Sequence, residues 1–101
     1  MRERRKAYAL ITSGHRLLVL EHTDAPEVGI QIPGGTVEPD ESPQEAVMRE
    51  AEEETGLTAL RMVRFLGEQD YPAGENRCHH RFYYHVACES PTPDRWQHIE
   101  A

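Results

Sequence analysis

Glu50, Glu53 and Glu54 stand at i, i+3 and i+4 in "REAEEETGL", behind the paired glycines Gly34 and Gly35. On a helix turning about 100° per residue, these three carboxylates share one face. Like charges at this spacing cost about 0.2–0.5 kcal/mol per pair. The segment therefore either presents a solvated face or seats something positive. Clustered carboxylates suit a hard divalent cation with oxygen ligands, Mg2+ or Mn2+. A Ca2+ sensor is a poorer reading, because no Asp-x-Asp-x-Asp-Gly loop is present.

The element that must position these residues is a helix over 43–55. Ser42 is a good N-cap, Pro43 suits the first helical position, and Glu45 completes a capping box. Gly56 is the natural stop. Val47, Met48 and Ala51 form an apolar stripe for a sheet, while Glu45 and Glu52 point to solvent. Arg49 lies four residues from both Glu45 and Glu53, where it can fix a carboxylate in place.

Strands are expected on both sides. "AYALIT" (7–12) and "RLLVLE" (16–21) read as a hairpin turning at Gly14, and 22–29 as a polar loop. "IQIPGGTVE" (30–38) reads as a short strand, a break at Pro33-Gly34-Gly35, and a further extended piece. Residues 57–69 read as a strand with Leu60, Met62 and either Val63 or Phe65 inward, 71–77 as a loop, and 78–88 as a β-rich run. "RWQHIEA" begins one more strand. Met1 to Lys6 reads as a basic, solvated chain start in preference to a phosphate-binding arm.

A chain of 101 residues points to one domain over 1–101. Its net charge of −7 argues against general nucleic-acid binding, which needs Lys and Arg in excess. A phosphorylated ligand stays open if a metal supplies positive charge. No apolar run approaches the roughly 20 residues that cross a membrane. Cys78 and Cys88 flank one strand-like run, beyond disulfide reach at about 3.3 Å per residue. Free thiols point to the cytoplasm.

The spacing Gly35, five residues, Glu41, seven residues, Arg49-Glu50-Ala51, one residue, Glu53-Glu54, one residue, Gly56-Leu57 resembles the signature box of the Nudix hydrolase family. Nine specified positions are filled across the 23 residues 35–57. The resemblance extends to the preceding hairpin and to Ile32-Pro33-Gly34-Gly35. It implies an α/β/α sandwich: a mixed sheet between helices, carrying a loop–helix–loop platform. It also implies Mg2+-dependent (or Mn2+-dependent) hydrolysis of a diphosphate linked to another group, with a small nucleotide-derived substrate.

Residue by residue, Glu53 and Glu54 match the family's principal metal ligands. Glu50 matches a further ligand or the group that orients the attacking water. The Gly34 carbonyl is placed to join the coordination. Arg49 and Glu41 match the pair bracing the loop, with Gly35 and Gly56 shaping the turns. Family members usually continue into a C-terminal helix, so this chain reads as a fragment or an unusually short version. Its C-terminal region, around Trp96 and Ile99, is then expected to leave apolar surface for pairing with a second copy. Glu89, Asp94 and Glu100 are candidates for a late catalytic carboxylate. His22, Asp24, Gln31, Tyr71, Tyr83, Tyr84 and Trp96 are candidates for the substrate pocket. A catalytically silent binding or regulatory module on the same fold is the competing reading, and the intact Glu50, Glu53 and Glu54 favour the enzyme.

Overall fold

The computed structural model describes residues 2–98. Its elements are β1 (Arg2–Ser13), β2 (Arg16–Leu17), β3 (Gly34–Thr36), α1 (Pro43–Thr55), β4 (Leu60–Pro72) and β5 (Arg77–Cys88), with a single 3-10 turn at Pro26–Val28. The sheet runs β2-β1-β5-β4, and β3 joins β1 on the β2 side. Strand β1 pairs in parallel with β5, from Arg2 opposite Arg77 to Thr12 opposite Ala87. All other pairings are antiparallel. The sheet is therefore mixed, as expected.

Strand alternation sorts the two sheet faces. Ala7, Ala9 and Ile11 of β1 lie in register with Phe82, Tyr84 and Val86 of β5. These positions join Ala46, Val47 and Ala51 of α1 in and around one buried core. The small β1 side chains let the helix approach closely. Val47 is fully buried, and burying a side chain of that size contributes about 1.5–3 kcal/mol. Lys6, Tyr8 and Thr12 fall on the opposite face with Arg81, Tyr83 and His85. Among the described residues no helix lies on that second face, so the second helical layer of the expected sandwich is not seen here.

Several boundaries differ from expectation. The basic start is not a solvated arm but the first half of β1, because its alternating residues pair with β5. The expected 16–21 strand shortens to Arg16–Leu17, followed by an isolated bridge between Leu20 and Gln31. Gly34 and Gly35 do not break a strand; they sit within β3, opposite Tyr8 and Ala7. Strand β4 reaches Pro72, and Val63 and Phe65 are exposed on it, since the ladder is irregular between Met62 and Gly67. Residues 95–98 form no strand. Ile99, Glu100 and the end of the expected last strand lie outside the described residues.

Candidate active site

Helix α1 forms where the capping signals place it. Ser42 accepts from the Glu45 N–H, and the Glu45 carboxylate accepts from the Ser42 N–H. Such a cap contributes about 1 kcal/mol. At the other end Gly56 adopts φ 76° and its N–H bonds the Glu52 carbonyl. A left-handed stop of this kind suits glycine.

Arg49 organises the carboxylates around the helix start. It grips Glu41 with two nitrogens, Nη2 to Oε1 at 2.5 Å and Nε to Oε2 at 3.1 Å. Its Nη1 donates to Glu50 Oε1 at 2.9 Å and reaches Glu53 Oε2 at 3.4 Å. Its Nη2 also donates to the Thr36 carbonyl at 3.2 Å, which ties the helix to β3. The anchoring partner upstream is thus Glu41 rather than Glu45, whose carboxylate is engaged in the cap. The Arg49 hydrogen bonds hold the Glu41 carboxyl below its ordinary range. Reciprocally, Glu41 drives the guanidinium pKa upward, so Arg49 stays charged.

The glycines bring the loop backbone against the helix. Glu54 Oε1 accepts from the Gly34 N–H at 2.7 Å. Ladder bonds flank this point, Ala9 N–H to Pro33 O and Val37 N–H to Arg5 O. In an antiparallel pair this register turns both polar groups of Gly34 away from β1. At Gly35 a Cβ would lie 2.5 Å from Glu50 Cδ, so only glycine leaves that carboxylate its place. Glu50 is largely covered, with 17% of its side chain exposed, whereas Glu53 is 49% exposed.

The Glu50 and Glu54 carboxylates thus both lie against β3, and carboxylate oxygens suit a hard divalent cation. The bare spacing of the acids could not show that Gly35 is the cradle for Glu50. That relation depends on β3 pairing with β1.

The remaining candidates separate. A cleft of about 780 Å3 opens beside Glu54 and Thr55, with His22, Asp24 and Trp96 in its wall. Trp96 donates its indole N–H to the Thr55 carbonyl at 2.9 Å, closing an open helix-end acceptor, yet it remains 36% exposed. Tyr84 is buried in the core, and Tyr83 lies on the face away from α1. Among the late carboxylates, Asp94 pairs with Arg16 and Glu89 with Arg61, while Glu100 lies outside the described residues.

A second acidic group went unnoticed in the sequence, because its members come from three strands. Glu3, Asp70 and His80 bring ligand atoms within 4.8 Å of one another. His80 Nδ1 lies 2.9 Å from Asp70 and Nε2 lies 2.8 Å from Glu68. With both ring nitrogens beside carboxylates, the imidazole ties neighbouring strands together. The hydrogen bond it shares with Glu68, whose carboxylate is the acceptor, raises its pKa.

Comparison with known proteins agrees with this architecture. The family model for the NUDIX domain matches residues 2–100, so the chain belongs to the Nudix family. A Bacillus subtilis (strain 168) protein named "Putative 8-oxo-dGTP diphosphatase YtkD" is 42% identical over 55 residues, covering 54% of this chain and 32% of the relative. The match thus spans about a third of that curated relative's length. The crystal structure of a MutT NUDIX hydrolase from Burkholderia pseudomallei superposes with a TM-score of 0.68 at 28% identity, over 86% of this chain and 68% of that one. A Caenorhabditis elegans Ap4A hydrolase shares the fold, with a TM-score of 0.74 at 21% identity, over 97% of this chain and 75% of that one.

Proposed function

We propose that this chain hydrolyses a diphosphate linkage in a small nucleoside diphosphate derivative, using Mg2+ or Mn2+ held by the loop and α1. The observation that carries the proposal is the convergence of Glu50, Glu54 and the Gly34 backbone, with Arg49 linking Glu41, Glu50 and Glu53. The NUDIX relatives named as hydrolases and a diphosphatase support it.

In this reading Glu53, Glu54 and the Gly34 carbonyl are the metal ligands, and Glu50 is a further ligand or orients the attacking water. A bound divalent ion would supply charge neutralisation on the phosphate oxygens and a more acidic water. The chain's own part is positioning. Arg49 keeps Glu50 and Glu53 at fixed places without touching substrate. A carboxylate of the cluster accepts the proton as water adds to one phosphorus, and the P–O bond to the other phosphate breaks with its electron pair going to the leaving oxygen. Intact carboxylates favour this over a silent module, which is free to lose them.

Among the described residues no helix is long and apolar enough to cross a membrane. Both cysteines are free, which supports a reducing, cytoplasmic setting. Pairing with a second copy near Trp96 belongs to the same proposal, and sedimentation tests it. The deciding experiment is a panel of nucleoside diphosphate derivatives incubated with Mg2+, with products scored by mass. Cleavage between phosphates, abolished by EDTA, is expected. A panel left intact would overturn the reading.

A further inference from the structure

The sheet face opposite α1 carries a positive row inside a chain of net charge −7. The register places Thr36, Lys6, Arg81 and Gln69 side by side across β3, β1, β5 and β4. Neighbouring strands lie about 4.8 Å apart, so the row leads away from the carboxylate platform across the sheet. Its first cation is tied to the platform: Lys6 Nζ donates to Thr36 Oγ1 at 2.8 Å, and Arg49 grips the carbonyl of the same threonine. The charge of Glu50 on the platform also acts on Lys6.

Arg81 is prepared for something other than a protein carboxylate. Its guanidinium carbon lies 3.9 Å from the centroid of Tyr71 and 5.5 Å from that of Tyr8. The two rings hold the cation over their faces. The buried Arg81 Nε has no hydrogen-bond partner. A buried donor left without a partner is unfavourable. Tyr8 in turn stacks on Tyr83 with centroids 5.7 Å apart. Burial, Arg4 and Arg81 lower the Lys6 pKa, against a raising influence from Glu50.

We infer that Lys6 and Arg81 form a phosphate-binding row that holds the part of the substrate's phosphate chain extending beyond the carboxylate platform. The inference rests on the proposed hydrolase reading and names the positioning residues of that same site. The cleft beside Glu54 suits this role poorly, because Glu21, Asp24, Glu54 and Asp94 line it against Arg16 and Arg95, and Arg16 is engaged with Asp94. Phosphate oxygens fit a planar guanidinium edge beside an ammonium, the first through paired donors and the second as a point charge.

The test is calorimetric titration of the full chain with inorganic pyrophosphate in EDTA, which reads the row without any metal. Wild-type protein should bind, with affinity falling as salt rises. Lys6→Gln and Arg81→Gln should each weaken the Kd by about tenfold or more, the value of one charge-assisted hydrogen bond. Arg81→Lys should recover part of that loss. Glu53→Gln should abolish hydrolysis yet bind metal-free pyrophosphate at least as well as wild type. Lys6 makes one side-chain hydrogen bond, to Thr36, so Lys6→Gln decides the matter if Arg81→Gln fails to fold. Absence of metal-free binding in the wild type, or an unchanged Kd in Lys6→Gln, would overturn the row while leaving the hydrolase reading untouched. Loss of the hydrolase reading would show instead as an intact substrate panel.

Discussion

Gly35 and Glu50 occupy one space: a Cβ on Gly35 would lie 2.5 Å from the Glu50 Cδ and 2.6 Å from its Oε1. The obstruction would be the end of a flexible side chain, and Gly35 is not among the glycines with positive φ. Gly35→Ala should therefore leave the backbone sound and push the carboxylate away from Arg49. The expected outcome is a melting temperature within a few degrees of wild type with turnover down at least about tenfold, since small displacements of positioned groups are costly in rate. A melting curve beside a kcat measurement checks this. Unchanged turnover would show that Glu50 does not need its present place.

Glu53→Gln removes charge at nearly constant shape from the most exposed carboxylate of the cluster. Turnover should fall by at least about 100-fold, with an unchanged far-ultraviolet spectrum. The apo protein should be no less stable, because Glu53 shares its helix face with Glu50 and Glu54 and its contact with Arg49 is long, at 3.4 Å. Near wild-type activity at saturating Mg2+ would remove Glu53 from the catalytic set.

Arg49→Lys tests whether the platform depends on a planar fork. Lysine keeps the charge but cannot grip Glu41 at 2.5 and 3.1 Å while also reaching Glu50 and the Thr36 carbonyl. Loss of about 1–2 kcal/mol by urea denaturation at neutral pH is expected for this partly buried network. Turnover should fall along with it. The Glu41 pKa is lowered in the folded state, so the stability it contributes is present above its ordinary value near 4.5 and lost as pH falls. The deficit of the variant should accordingly narrow in acid.

The helix and its carboxylate face were legible because their signals are local: a capping box, a glycine stop, and 3.6-residue periodicity. The pairing of β1 with β5 was not, because contacts between residues 2–12 and 77–87 leave no mark on either segment alone. Arg2 to Lys6 looked like a solvated arm for the same reason. Its alternation is between polar residues, so hydrophobic patterning is blind to it. Pro33-Gly34-Gly35 read as a break because glycine usually weakens strands. Here the missing side chains admit Tyr8 on one face and Glu50 on the other. Arg49 illustrates the same limit. Four-residue spacing offered Glu45 and Glu53; the pairing with Glu41, brought near by the loop before the helix, came from the family resemblance and not from the spacing.

His80 provides a pH-dependent contribution to stability with a defined sign. Its ring nitrogens meet Asp70 on Nδ1 and Glu68 on Nε2, with Glu3 4.0 Å from Nδ1. Arg5 stands opposite it on β1, and Phe82 packs against the ring with centroids 4.7 Å apart. The Glu68 hydrogen bond and the charges of Asp70, Glu68 and Glu3 raise the pKa above the ordinary value of 6.5, against a smaller opposing effect of burial. A raised folded-state pKa means the stabilisation is fully present below about pH 6.5 and is lost as pH rises through the folded value. Once the imidazole is neutral, three carboxylates remain around it and repel one another. The stability difference between wild type and His80→Gln should therefore be largest between about pH 5 and 6.5 and shrink towards pH 9. Below about pH 4 it should shrink again, as the carboxylates take up protons. Urea denaturation of both proteins across this range measures the difference directly. A gap that stays constant with pH would mean that His80 holds the strands by packing on Phe82 rather than by charge.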